Sequence, residues 1–225
     1  MFEDSSDFHD YYRTRQGRHV AMRLRRTVGD FWSRAPNACN VAIGYPPPVL
    51  RTEERPPVLS FTPMRLGPRP WPPTGPNRAA LVNSRSMPLQ NVQLDRLLLV
   101  HALEFDPSPS RLLDECWRVL DGTGRLLVMV PNRNGLWARA EKTPFGHGRP
   151  FSRGQLRKLL ADHGFKPVRA QTALFMPPAA LGLFLRFGPQ IERIGSNWSP
   201  GIGGVLVVEA EKNLYAPAGK TSRVT

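Results

Sequence analysis

The sequence has very little cysteine. Its 225 residues include only Cys39 and Cys116, too few and too far apart to form a disulfide framework or a cysteine-based zinc site. Such sparse cysteine usage is typical of a reducing compartment, so we expect a cytoplasmic protein. The motifs HExxH, GxSxG and CxxC are also missing, which argues against the familiar zinc hydrolases, serine hydrolases and thiol redox enzymes. We therefore expect no metal.

Export signals and long apolar runs are missing as well. The first 12 residues hold four acidic residues and no basic one, the opposite of a secretory signal. The longest apolar stretch, residues 174–185, is interrupted by Pro177 and Pro178 and falls short of the roughly 20 residues that span a bilayer. We expect a soluble protein with an acidic segment over 1–12, one domain over 13–215 and a disordered tail over 216–225.

Proline and positive charge, by contrast, are abundant. Eleven of the 24 prolines fall between Pro46 and Pro76, which excludes a long helix there. The net charge of +13 favours anionic partners. Apolar residues recur every three or four positions near the amino terminus and predict one amphipathic helix whose other face holds seven arginines: Arg13, Arg15, Arg18, Arg23, Arg25, Arg26 and Arg34. That face is a solvated outer surface, an anion-binding surface or a membrane-binding surface, and we predict that Arg15, Arg18 and Arg25 are not part of the core.

The remaining pattern alternates buried strands with amphipathic helices. Short apolar runs predict strands at 40–44, 57–61 and 79–82, and a longer run predicts one at 94–105. A helix follows whose apolar face includes Leu112, Leu113 and Cys116, and we expect glycine in the turn 121–124 to end it before a strand at 124–132. A second helix begins at a Ser152 cap and ends at Gly164, before strands at 166–175 and 203–212. This order predicts an α/β protein with a mostly parallel sheet.

Residues 97–137, LLLVHALEFDPSPSRLLDECWRVLDGTGRLLVMVPNRNGLW, closely resemble the second half of class I S-adenosylmethionine-dependent methyltransferases of type 11. The likeness covers about residues 80–175, and residues 143–152, TPFGHGRPFS, resemble a divergent bacterial subgroup. The resemblance implies a Rossmann-like sheet of seven strands whose last strand is antiparallel. It also implies that S-adenosyl-L-methionine lies across the carboxyl ends of the early strands.

The same resemblance assigns candidate site residues. The cofactor loop corresponds to Ala42, Gly44 and Tyr45, the adenine-facing position to Asn83 or Ser84, and the segment that faces the methyl group to His101 and Glu104. His101 would then border the cofactor, and either His101 or Glu104 would be the candidate general base. His147, Trp137 and Arg139 lie in following loops that could cover the same side.

The sequence departs from the family in its first half. Only Gly44 remains of the Gly-x-Gly-x-Gly loop, and Thr62-Pro63-Met64 stands where a carboxylate usually holds the ribose. The family's early helices are replaced by proline-rich loops. Two hypotheses follow: a methyltransferase with an unidentified acceptor, or a catalytically silent methyltransferase-like module that binds anionic partners through its basic surface. For the apolar residues of 174–187 we expect one of three roles: they pack over the edge of the sheet, form a dimer contact, or act as a lid over an apolar acceptor.

Overall fold

One seven-stranded sheet forms the centre of the molecule. The computed structural model describes residue 2 and residues 4–32, 38–51, 57–178 and 203–213. The strands are β1 (Asn40–Gly44), β2 (Val58–Pro63), β3 (Ala79–Val82), β4 (Leu94–Val100), β5 (Leu120–Pro131), β6 (Phe165–Ala173) and β7 (Val205–Lys212). Their order is β3-β2-β1-β4-β5-β7-β6, and β7 is antiparallel to both of its neighbours. The other pairings are parallel, which confirms the predicted fold.

Four helices cover the two faces of this sheet. They are α1 (Ser5–Arg13), α2 (Arg15–Phe31), α3 (Pro109–Val119) and α4 (Arg153–Asp162). Because side chains alternate across a strand, Ala42 and Leu98 pack with α1 and α2, whereas Val41 and Leu97 pack with α3 and α4. The runs of β1 and β4 are apolar throughout because both of their faces are covered.

The arginine-rich amino terminus forms two helices, not one. Thr14 adopts an extended conformation, and its hydroxyl accepts a hydrogen bond from the amide of Gly17 at 2.9 Å, so that it caps α2. The break allows α1 to pack against α2 and the sheet. Of the segment 1–12, expected as a separate acidic stretch, residues 5–12 belong to α1, and Phe8, Tyr11 and Tyr12 are buried in the core.

The end of α3 also differs from expectation. Leu120 is already extended, with φ −69° and ψ 141°, and β5 continues from it without a turn. Neither Gly122 nor Gly124 has a positive φ, so no left-handed glycine ends this helix. After α4, by contrast, Gly164 has φ 75° and the predicted Ser152 cap forms a reciprocal capping box with Gln155.

Two expectations lie partly or wholly outside the described residues. Of the apolar stretch 174–187, only residues 174–178 are described, with Leu174 and Met176 buried. The predicted tail over 216–225 also lies beyond them. Within the described part of the chain, no helix has the length and hydropathy needed to cross a membrane.

Candidate functional site

The carboxyl ends of β1 and β4 meet at Gly44. This residue pairs with Val100, and the amide of Tyr45 donates to the Val100 carbonyl at 2.7 Å. Gly44 has φ +104°, and a Cβ built on it would lie 2.1 Å from the Val100 carbonyl oxygen. Only glycine fits this close crossing of two backbones. Ala42, two residues earlier in the strand, is fully buried in the core.

Helix α1 covers this edge of the sheet with aromatic side chains. The ring of Phe8 stacks on Tyr45 with 5.1 Å between centroids and lies 5.0 Å from the His101 ring. The Tyr12 ring is nearly parallel to that of Tyr45 with 6.2 Å between centroids, and Phe145 lies 5.2 Å from His101. We call these residues, with Tyr11, Glu104 and Phe105, the aromatic site. Sequence reasoning missed α1 as a contributor because the residues of α1 are about 90 positions away from His101.

A chain of buried polar groups runs through the aromatic site. The hydroxyl of Tyr12 lies 2.7 Å from Nε2 of His101, and Nδ1 of His101 lies 3.1 Å from Oε1 of Glu104. An ionised Glu104 only accepts hydrogen bonds, so His101 donates Nδ1–H to it and accepts from Tyr12 through Nε2. This is the order of groups in which a carboxylate orients an imidazole base.

Two polar atoms of the aromatic site have no partner among the described residues. Oε2 of Glu104 and the hydroxyl oxygen of Tyr11 are buried and make no hydrogen bond. His101 also has φ +50°, a conformation that side-chain-bearing residues seldom adopt. Unpaired buried groups and unusual backbone angles both cost stability, and they concentrate at functional sites.

Burial keeps the tyrosines of this site protonated. Burial, with smaller effects from Tyr11, Glu104 and Tyr45, raises the pKa of Tyr12 well above its ordinary value of 10. Burial raises the pKa of Tyr11 too, and raises that of Tyr45 to about 12. At neutral pH all three are phenols, so Tyr12 retains the O–H that it can donate to Nε2 of His101.

The end of β3 places the two adenine-facing candidates differently. Asn83 is exposed, and its side chain accepts from the amide of Arg85 within a turn. Ser84 is buried and donates its hydroxyl to Oδ2 of Asp106 at 2.9 Å. Asp106 is itself only 5% exposed and also accepts from the amide of Ser108. Sequence reasoning missed Asp106. The available signal was a second acidic residue two positions after Glu104, in the segment that follows β4.

No carboxylate ends β2. Buried Thr62 and Pro63 close the strand, and the following Arg65 lies with its guanidinium 5.9 Å from the Phe105 ring centroid. Burial lowers the pKa of Arg65, while Asp106 and Glu104 raise it. This corner of the sheet thus has a cation where the family resemblance implies a ribose-holding acid.

The loop residues named as a cover behave as packing groups. Trp137 is 1% exposed and donates its indole N–H to the Met176 carbonyl at 2.8 Å, whereas Arg139 is exposed. Nε2 of His147 lies 2.6 Å from the Glu141 carbonyl oxygen, and its ring lies 5.1 Å from Phe2. Among the described residues, none of these three side chains forms a hydrogen bond with His101 or Glu104. Over the described residues, no cluster of three or more histidines, cysteines and acids is placed to hold a metal ion.

Comparison with known proteins supports the methyltransferase resemblance. No family model matches the chain. A probable S-adenosylmethionine-dependent methyltransferase of Mycobacterium tuberculosis is 32% identical over 127 residues, which are 52% of this chain and 46% of that protein. The chain thus spans about half the length of the curated relatives it matches.

Solved structures extend the likeness to nearly the whole fold. A methyltransferase of Thermotoga maritima, described as a possible histamine N-methyltransferase, is superimposable with a TM-score of 0.65 at 19% identity, covering 92% of this chain and 95% of that one. One from Archaeoglobus fulgidus gives 0.58 at 17% identity, covering 91% and 98%. The chain therefore has the fold of these methyltransferases, and about half of its length is similar in sequence to the mycobacterial protein.

Proposed function

We propose that this chain is a methyltransferase domain that uses S-adenosylmethionine, with the aromatic site as the place of methyl transfer. The buried Glu104 carboxylate is the observation that supports this most directly. Its Oε2 has no partner among the described residues, and its Oε1 is bonded to His101, whose ring lies among those of Phe8, Phe105 and Phe145. A carboxylate among aromatic faces is a site for a positive charge, since rings attract cations through their π electrons. S-adenosylmethionine supplies a methyl group on a sulfonium cation.

The residues present fit the charged end of this cofactor better than its ribose. Glu104 and the rings of Tyr45 and Phe105 would hold the positive end, and the Ala42–Tyr45 loop would line it. Asn83 and Ser84 would border the adenine. At the end of β2, Thr62 offers only a hydroxyl where the family resemblance implies a carboxylate, so ribose recognition would be weaker.

His101 is the candidate base and Glu104 its orienting partner. Methyl transfer depends mainly on positioning, because the sulfonium is already activated. Where the acceptor must lose a proton, Nε2 of His101 would take it once the Tyr12 hydroxyl has moved away. Phe8 and Tyr12 fill the space above the β1 and β4 ends, so α1 would move when ligands enter. The absence of a spanning helix in the described residues and the sparse cysteine usage support a cytoplasmic location.

Calorimetric titration with S-adenosylmethionine and its demethylated product S-adenosylhomocysteine tests this proposal. We expect both to bind, and we expect Glu104→Gln to weaken S-adenosylmethionine at least tenfold. The weakening should be smaller for S-adenosylhomocysteine, which lacks the sulfonium charge. Glu141→Gln, a change at an exposed acid, is the matched control and should bind both ligands as the parent does.

A silent binding module is the second candidate function. The aromatic rings that fill the site and the missing acid at β2 favour it. In this case neither cofactor form binds at millimolar concentration, and the chain instead binds a polyanion. Arg15 and Arg18 are exposed on α2, whereas Arg25 is part-buried and donates to the Pro48 carbonyl, so the anionic surface would involve the first two and not Arg25.

A further inference from the structure

A cavity of about 640 Å³ lies beside the aromatic site. Its described lining comes from α1, α2 and residues 45–51 and 69–73 of the loops that follow β1 and β2. Its wall includes Arg25, Arg51 and Arg69, with His9, Tyr45 and Trp71. We call it the arginine cavity. It is a different space from the proposed methyl-transfer site, since none of Asn83, Ser84, His101 or Glu104 lines it; only Tyr45 belongs to both.

The described lining of the arginine cavity is cationic. Arg25, Arg51 and Arg69 line it, and no aspartate or glutamate does among the described residues. Nη2 of Arg25 donates to the Pro48 carbonyl at 3.0 Å, which holds this side chain beside the cavity. Nε of Arg25 is buried and has no hydrogen-bond partner within the described part of the chain. Three arginines around one space attract an anion.

The walls between the arginines are apolar and aromatic. Trp71 is 4% exposed and Tyr45 is 3% exposed, and prolines Pro47, Pro70 and Pro73 complete the lining. Cavities of about 300–1,000 Å³ with few polar groups on apolar walls are typical of small-molecule sites. The cavity therefore suits a ligand with an anionic group and a planar or apolar part.

We propose that the arginine cavity binds a phosphate-bearing small molecule with a ring that packs on Trp71 and Tyr45. Phosphate fits better than a carboxylate because three arginines line one cavity, and a phosphate group has more acceptor oxygens and more negative charge to share among them. The inference does not rest on methyl transfer, because neither His101 nor Glu104 lines the cavity, although Tyr45 borders both sites.

The lowered pKa of His9, which also lines the cavity, is consistent with positive charge around this space. Burial, Arg69 and Arg13 lower the pKa of His9, and Asp10 opposes them. An anion in the cavity would raise this pKa again, and the change can be followed by the NMR shifts of the imidazole protons.

The test uses phenyl phosphate as the probe and calorimetry on the full chain at fixed salt. We expect phenyl phosphate to bind at least tenfold more tightly than inorganic phosphate and than benzoate. Arg25→Gln should weaken phenyl phosphate at least tenfold. Arg18→Gln, at an exposed position of the same helix, is the matched control and should change its affinity less than twofold. Thermal unfolding of each variant checks folding, and Arg69→Gln replaces Arg25→Gln if the latter does not fold.

Three results would overturn the proposal. Equal weakening by Arg18→Gln and Arg25→Gln would mean that the anion binds to the general basic surface. Benzoate that binds as tightly as phenyl phosphate would mean a carboxylate site. Competition by S-adenosylhomocysteine would assign the cavity to the methyltransferase cofactor; failure of S-adenosylhomocysteine to bind at all would instead count against the proposed function and leave the phosphate result intact.

Discussion

The aromatic site and the arginine cavity share a wall but have opposite chemistry. Among the described residues, a buried carboxylate oxygen of Glu104 in the first has no partner, and a buried guanidinium nitrogen of Arg25 beside the second has none. Tyr45 belongs to both: its ring stacks on Phe8, and it lines the cavity. Under the two proposals made above, this one loop separates a cation site from an anion site.

The largest expected effect comes from Gly44, which fixes the shared wall. Gly44→Val should destabilise the fold by about 3–5 kcal/mol, because its φ of +104° is strained for valine and the new Cβ meets the Val100 carbonyl. Urea unfolding measures the loss. Gly67→Val is the control: Gly67 also has a positive φ but nothing lies within 4 Å, so only about 1–3 kcal/mol should be lost.

Alkaline pH should affect the aromatic site first. Tyr11, Tyr12 and Tyr45 have folded-state pKa values above 10, so above pH 10 the unfolded chain releases protons that the folded chain keeps. The free energy of unfolding should therefore be unaffected by these groups below pH 10. It should fall by about 1.4 kcal/mol per pH unit for each group as pH rises further. Unfolding in urea at pH 9, 10 and 11 measures it, and Tyr11→Phe should reduce the slope by one group's share. If Tyr11→Phe leaves the pH dependence of the free energy of unfolding unchanged, the Tyr11 hydroxyl is exposed to water and not buried.

Two neighbouring tyrosines distinguish a bonded hydroxyl from an unbonded one. Tyr12→Phe should cost about 1–3 kcal/mol, since it leaves Nε2 of His101 buried without a donor. Tyr11→Phe should be neutral or slightly stabilising, because the hydroxyl it removes has no partner. Thermal unfolding of both variants compares them under identical conditions. Equal losses would show that ring packing, and not the Tyr12–His101 hydrogen bond, sets the stability.

The smallest effect is expected on the outer surface of α2. Reversing Arg15 and Arg18 to glutamate should change the free energy of unfolding by less than about 0.5 kcal/mol, because both side chains are exposed. Binding to the arginine cavity should persist, whereas any binding of a long polyanion should weaken and lose part of its salt dependence. Scanning calorimetry measures the change in stability, and titration calorimetry measures the binding of the small ligand and of the polyanion. Loss of folding would mean that these arginines are paired in the native state.

Prediction from sequence worked best where local pattern is sufficient. The strand limits of β1 and β3 agree with the expected 40–44 and 79–82, since short apolar runs between turn residues are buried whatever surrounds them. The βαβ unit around α3 followed from helical spacing in the same way. The turn after α3 failed because glycine permits a left-handed residue without requiring one.

The candidate site was only partly visible. His101 and Glu104 were found through their place after a buried strand, and the structure brings them within 3.1 Å of each other. The contribution of Tyr12 and Phe8 could not be predicted, because it depends on the break at Thr14 that lets α1 pack against the sheet. Arg25 was assigned to an outer face because helical periodicity does not show which loop will cover a position.

The sequence alone thus determined the mostly parallel α/β sheet, the positive charge and the positions of the buried strands, because these depend on composition and on local periodicity. The tertiary structure decided which polar groups remain without partners. Oε2 of Glu104 and Nε of Arg25 are unpaired only because α1, α2 and the proline-rich loops cover them from distant parts of the chain. Burial is a property of neighbours in space, and no spacing along the chain encodes it.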